Sequence, residues 1–191
     1  KKQEQLNQMW RNTIVNDTYE PGSTFKLLTT AIALEEGVTD LDSTYTCTGS
    51  IAVGDQILHC WSSDHPHGTQ NLKQAVGNSC NPVFVQLATG IGIDKFYNYM
   101  ATFGITGKTG IDFPGEGSAI LQSKESAGPV GLATIGFGQG VAVTPIQLIT
   151  AISSFGNEGK LLKPRLVKEL RDSDGNTVEK FETEGDCRGD M

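Results

Sequence analysis

The sequence predicts an α+β (mixed) fold organised around one buried helix, and three observations predict it. The first is the run that follows the Pro21-Gly22 turn, which is rich in good helix formers and ends at Gly37, a natural helix C-cap. Phe25, Leu27, Leu28, Ala31, Ile32, Ala33 and Leu34 make this helix apolar on nearly every side, as expected of a helix in the middle of a domain. The second is composition: 191 residues, 37% hydrophobic, 19% charged and 7% aromatic, with 23 Gly, suit a soluble globular domain with one core. The third is a pair of hairpin signals, Gly54-Asp55 and Asp174-Gly175, each flanked by short strand-like stretches.

Taken in order, residues 1 to 18 are polar and lead into the turn before Ser23. Val38 to Ser43 is a loop, and Tyr45 to Trp61 reads as two short strands joined at Gly54-Asp55. Ser62 to Gly68 is a loop by composition. Asn71 can cap a short helix through Val76, which breaks at Gly77-Asn78-Ser79-Cys80. Asn81-Pro82, a cap followed by an N1 proline, opens a helix over Val83 to Thr89, and Asp94 caps the next one, Lys95 to Thr102. Gly104 to Gly117 is a glycine-containing loop. A second apolar segment carries Gly136-Phe137-Gly138-Gln139-Gly140, read as a backbone-packing turn rather than a phosphate loop. Thr144-Pro145 opens a helix to about Phe155, and Leu166 to Arg171 pairs with Thr177 to Phe181. Helices dominate this pattern and strands come late.

The formal net charge of −7 argues against nucleic acid as a partner. No apolar run approaches the roughly 20 residues that span a bilayer, and no signal peptide is visible. The abrupt Lys1-Lys2-Gln3 start reads as that of a piece excised from a longer protein. Four cysteines, Cys47, Cys60, Cys80 and Cys187, allow a disulfide or a metal site.

Two short patterns carry chemistry. Ser23 falls in the first turn of the apolar helix with Lys26 three positions on, so the two share a face about 5–6 Å apart at Cβ. A serine hydroxyl is a poor nucleophile until a base and a positive field act on it. Lys26 supplies the amine, and the helix N-terminus supplies partial positive charge and free N–H groups where an oxyanion would form. Ser79-Cys80-Asn81 lies in the turn between two helices. There a second hydroxyl can relay a proton, and an amide can hold both the lysine and a substrate amide.

Ser-x-x-Lys followed by Ser-x-Asn is the order found in penicillin-binding proteins and β-lactamases. With YEPGSTFK, the SCNP turn, FGITGKTGIDFPGE, GFGQG and VTPIQLITAISSFGNEGKLLKP, the chain resembles the transpeptidase domain of class B penicillin-binding proteins. It looks most similar to the sporulation and division type (stage V sporulation protein D-like), from about Met9 to Phe181. The resemblance implies a penicillin-binding/β-lactamase-like transpeptidase fold, with the helical part largely present and part of the central sheet missing. Residues 1–183 are then a partial domain, and Glu184 to Met191 a tail that matches nothing expected.

The resemblance further implies that Ser23 is the acylated nucleophile and Lys26 its base, with Ser79 and Asn81 as the second active-site motif. The implied substrates are peptidoglycan stem peptides ending in D-Ala-D-Ala, with β-lactam antibiotics as mimics. A membrane glycosyltransferase partner and an extracytoplasmic site, anchored by an N-terminal segment, follow from the same likeness. The family's third motif, Lys-Thr/Ser-Gly on a strand, should follow the VTPIQ helix. The only match, Lys108-Thr109-Gly110, lies in the glycine-rich loop and is read as a decoy. A β-lactamase, a β-lactam-sensing receptor and a non-catalytic scaffold of the same fold are the alternatives.

Cys47, Cys60, His67 and Cys80 form a candidate structural zinc site, since three thiolates and one imidazole make a closed tetrahedral set. In this reading the 45–61 hairpin brings Cys47 and Cys60 together, the loop returns His67, and Cys80 faces the ion while Ser79 and Asn81 face the cleft. Asp64 and His65 are alternative ligands, and His59 is expected to point away. A Cys47–Cys60 disulfide with Cys80 as a buried thiol is the competing reading.

Overall fold

A computed structural model of the chain describes Leu6, residues 9–183 and residues 185–186. Cys187 and most of the Glu184 to Met191 tail lie outside the described residues. The chain divides into two compact units. One comprises Lys1–Tyr19, Ala101–Ala119 and Val143–Met191, and the other Glu20–Met100 and Ile120–Ala142. Among the described residues, no helix is long and apolar enough to cross a membrane.

The unit that includes Ser23 is built on three packed helices, α2 (Lys26–Glu35), α4 (Asn81–Ile91) and α6 (Lys124–Ile135). Phe25, Leu28, Ile32, Phe84, Leu87 and Ile135 are almost fully buried and fill its core. α6 is two helical pieces joined at Gly128, whose φ of +57° breaks the ladder just before Pro129. α3 (Leu72–Gly77) starts with a capping box, in which Asn71 and Gln74 satisfy each other's backbone N–H groups. α5 (Ile93–Thr102) follows α4 after Gly92.

The strands here are short antiparallel pairs: β1 (Thr44–Cys47) with β4 (Gly68–Asn71), β2 (Ser50–Val53) with β3 (Gln56–His59), and β5 (Ile120–Leu121) with β6 (Val141–Ala142). The Gly54-Asp55 hairpin therefore forms as expected, but Cys47 is outside it. Cys47 pairs across to Gly68, beside His67, while Cys60 is held by its N–H to Gly49 O at 2.8 Å. The stretch read as two strands is thus three, and strands occur early in the chain as well as late. The central helix is also less enclosed than its composition suggests: Leu27 and Leu34 are 41% and 40% exposed.

The other unit carries α1 (Thr13–Asn16), α7 (Pro145–Ser153), the β7 (Leu161–Leu162) and β10 (Gly185–Asp186) pair, and the hairpin of β8 (Glu169–Arg171) and β9 (Thr177–Lys180). Thr144 caps α7 in a second capping box with Gln147, whose buried Nε2 donates to Gly107 O. The glycine-rich loop is pinned by carboxylates. Glu116 accepts from Thr109 N and Oγ1, both at 2.6 Å, and from Gly110 N at 3.1 Å, and Asp112 accepts from Leu166 N and Val167 N. Lys108-Thr109-Gly110 is accordingly a loop stapled by Glu116, with no strand under it.

Candidate active site

Ser23 sits in a single 3₁₀ turn, Gly22–Phe25, that leads directly into α2. Gly22 adopts φ +55° and donates its N–H to Gly138 O at 2.9 Å. The backbones touch so closely here that a Cβ at Gly138, itself at φ +83°, would stand 2.0 Å from Gly22 O. Gly140 N reaches Glu20 Oε1 at 3.0 Å, and Thr29 Oγ1 donates to Gly136 O at 2.8 Å. The 136–140 segment is indeed a backbone-packing turn, and what it packs is the turn presenting Ser23. Its role depends on the meeting of two distant glycines, so only the glycine spacing hinted at it.

Lys26 is 3% exposed. Its Nζ lies 2.7 Å from Asn81 Oδ1, 2.8 Å from both Ser79 Oγ and Ser79 O, and 3.2 Å from Ser23 Oγ. Ser79 Oγ is itself 2.7 Å from Ser23 Oγ. Phe84 flanks the amine, its ring centroid 5.3 Å away. Burial draws the Lys26 pKa down to about 8, against an upward pull from the Cys60 and Cys80 sulfurs. An ammonium has three hydrogens and here meets four oxygens. In the neutral amine one site becomes a lone pair, and the longest contact, to Ser23, is the one it can serve as acceptor.

The second motif is placed by backbone geometry. After α3, Ser79 takes φ +50°, a left-handed conformation rare outside glycine and asparagine. Cys80 N bonds Ala75 O at 3.0 Å, and α4 then starts at Asn81 with Pro82 in its first turn. Asn81 is oriented at both ends, with Nδ2 on His59 O at 3.2 Å and Oδ1 on Lys26. Ser23, Ser79 and Asn81, together with Gly22, Trp61, Phe137 and Gln139, line a cleft of about 400 Å³. Trp61 was not anticipated. It is 69% exposed, but its Nε1 donates to Asn78 O at 2.8 Å and its ring lies 5.6 Å from that of His67.

Behind the turn, one ligand atom each from Cys47, Cys60, His67 and Cys80 lies within 4.8 Å of the others, and Cys60 Sγ is 3.6 Å from His67 Nδ1. The three cysteines are buried free thiols. Asp64 and His65 are outside this group, and His59 is exposed. Burial opposes the Cys47 thiolate, but hydrogen bonds from the Gly49 and His67 backbone, the His67 ring and the Cys80 thiol outweigh it and bring its pKa down to about 7. Burial raises Cys80 to about 12, and donation to Cys47 holds its proton in place.

Fold and site together define a class: a helical scaffold that brings Ser-x-x-Lys and Ser-x-Asn into contact at the edge of one cleft. The family model for the penicillin binding protein transpeptidase domain matches residues 1–184, and the chain belongs to that family. It is 48% identical over 164 residues to stage V sporulation protein D of Bacillus subtilis, covering 85% of this chain and 25% of that protein. It is 30% identical over 176 residues to the peptidoglycan D,D-transpeptidase PbpA of Mycolicibacterium smegmatis, covering 87% of this chain and 34% of that protein. The crystal structure of penicillin binding protein 3 from Mycobacterium tuberculosis complexed with aztreonam superposes with a TM-score of 0.81 at 25% identity, over 91% of this chain and 39% of that one. The chain spans about a quarter to a third of the length of these curated relatives.

Proposed function

We propose that the chain is the nucleophile-bearing part of a peptidoglycan D,D-transpeptidase that cross-links stem peptides through an acyl-enzyme on Ser23. The observation that carries this reading is the convergence of four polar side chains, Ser23, Lys26, Ser79 and Asn81, within 3.2 Å contacts of one amine and two hydroxyls. Neutral Lys26 accepts the Ser23 proton as Oγ attacks the penultimate D-Ala carbonyl carbon. The tetrahedral oxyanion collapses to an ester, and the C–N bond to the terminal D-Ala breaks. The departing amine takes a proton from Lys26 through the Ser79 hydroxyl. An amine of a neighbouring strand then attacks the ester, gives its proton back along the same path and restores Ser23. Asn81 holds Lys26 in register throughout, and the N-terminal turn of the helix supplies positive field near the developing oxyanion.

The aztreonam complex of the mycobacterial relative supports β-lactams as ligands, and their acylation of Ser23 as substrate mimics is part of the same proposal. Peptidoglycan cross-linking takes place outside the cytoplasmic membrane, so an extracytoplasmic site and a glycosyltransferase partner belong to the same proposal. The test is reaction of the full-length protein with a fluorescent penicillin. A stable adduct lost in Ser23→Ala supports the reading, release within seconds favours a β-lactamase, and unchanged cellular function of Ser23→Ala favours a scaffold.

We further propose that Cys47, Cys60, Cys80 and His67 hold a structural zinc ion. Tetrahedral ligands at ordinary Zn–S and Zn–N lengths stand about 3.8 Å apart, and separations of up to 4.8 Å fit that with small side-chain adjustments. Cys47 at the end of β1, Cys60 just after β3, His67 just before β4 and Cys80 in the Ser79–Asn81 turn would hold the ion, which would brace that turn and supply no chemistry to the acyl transfer. One zinc per chain by elemental analysis supports it. No metal, with Cys47 and Cys60 oxidised to a disulfide, overturns it.

A further inference from the structure

Gln70 is a buried polar side chain outside the serine–lysine site. It lies on β4, 3% exposed, three residues after His67. Its Oε1 accepts from Asn78 Nδ2 at 3.0 Å. Its Nε2 is shielded from water and has no hydrogen-bond partner, the sole such side-chain atom among the described residues. A buried amide donor without an acceptor is costly and rare, and usually marks something missing from the picture.

The two ends of the amide cannot exchange roles. The Asn78 NH₂ can only donate, so it retains Oε1 and turns Nε2 the other way. Gln70 lies two residues from Gly68, the partner of Cys47 across β1 and β4, so its side chain shares a face with Cys47, and the Cys80 sulfur lies within 4.8 Å of the Cys47 sulfur. A neutral thiol is a weak acceptor, whereas a metal-bound thiolate carries charge and readily takes an amide N–H. Such outer contacts orient first ligands and tune metal affinity.

The far end of the same side chain leads to the cleft. Asn78 precedes the left-handed Ser79, and its carbonyl holds Trp61 Nε1 at the cleft rim. We propose that Gln70 is a positioning residue whose Nε2 serves the Cys80 thiolate of the loaded metal centre and whose Oε1 anchors Asn78, coupling that centre to the Ser79–Asn81 turn. This rests on reading the Cys/His cluster as a metal site, and it assigns a role to a residue that touches neither the substrate nor the ion.

The test is zinc competition against a chromophoric chelator in the full chain, comparing wild type with Gln70→Met and Asn78→Ala. Gln70→Met keeps volume and loses both hydrogen-bonding ends. Asn78→Ala alters an exposed side chain that reaches no sulfur and leaves the Trp61 bond to its backbone intact, so it serves even where the buried variant folds poorly. The expected result is a zinc affinity lowered ~10- to 100-fold in Gln70→Met and measurably lowered in Asn78→Ala. Cobalt(II) substitution should show a shifted thiolate-to-cobalt charge-transfer band in both, which general loosening of the fold would not produce. Wild type binding zinc while both variants match it within twofold overturns the role of Gln70 alone. A wild type that takes up no zinc overturns the metal centre, and this role with it.

Discussion

Lys26 Nζ lies 3.2 Å from Ser23 Oγ, the longest of its four polar contacts, while the other three hold it from the Ser79–Asn81 side. The amine is thus fixed by the second motif and offered to the first. That asymmetry matters to the chemistry, because only the neutral amine can take the serine proton.

The first prediction concerns pH. Burial brings the Lys26 pKa from 10.5 to about 8, raising the neutral fraction at pH 7 roughly 300-fold. The base is inactive when protonated, so penicillin acylation should climb about tenfold per pH unit below 8 and level off above it. Stopped-flow acylation rates from pH 5.5 to 10 check this. A flat profile would remove Lys26 from the role of base. Lys26→Met should lower the plateau rate by ~10²–10⁴-fold and flatten the profile, so that the deficit narrows below pH 8.

Asn81 accepts a hydrogen bond from the charged lysine and so favours the ammonium. Asn81→Ala should therefore move the midpoint of the pH profile below its wild-type position while lowering the plateau rate on the order of tenfold, through loss of positioning. Both effects are read from the same rate series.

Gly138→Ala places a methyl carbon 2.0 Å from Gly22 O at a residue with φ +83°. Overpacking and left-handed strain together should cost about 2–4 kcal/mol. Since the contact is with the turn that presents Ser23, acylation should fall along with the melting temperature. Gly156→Ala, where a Cβ meets nothing within 4 Å, is the control and should be near neutral.

Chelation probes the thiol cluster. With zinc at ~100-fold its dissociation constant, binding contributes about 2.7 kcal/mol, so its removal should lower the melting temperature by about 5–10 °C. Thermal melts with and without a chelator measure this, and equal melting temperatures would argue against a structural ion.

Most of the candidate site was legible because its spacing is local. Ser23 and Lys26 are three apart on one helix, and Ser79 and Asn81 are two apart in one turn, so helix periodicity and cap chemistry place each pair. Joining the pairs needs a 53-residue closure that no local pattern encodes, and there the family resemblance did the work. The β4 strand was missed because Gly68-Thr69-Gln70-Asn71 carries no apolar alternation. Its partner, β1, lies more than twenty residues back, and with it went the true position of Cys47. Gln70 was hidden for the same reason: a polar residue in a polar stretch gives no sign of burial until the strand is paired. Leu27 and Leu34 misled in the opposite direction, since an apolar residue is not obliged to be covered.

Peptide-mapping mass spectrometry of the full-length protein after brief exposure to benzylpenicillin tests the central claim most directly. One intact penicilloyl group is expected on the peptide that carries Ser23, absent from Ser23→Ala and far slower to form in Lys26→Met. A full-length protein that stays unmodified, or is acylated at another residue, would contradict it.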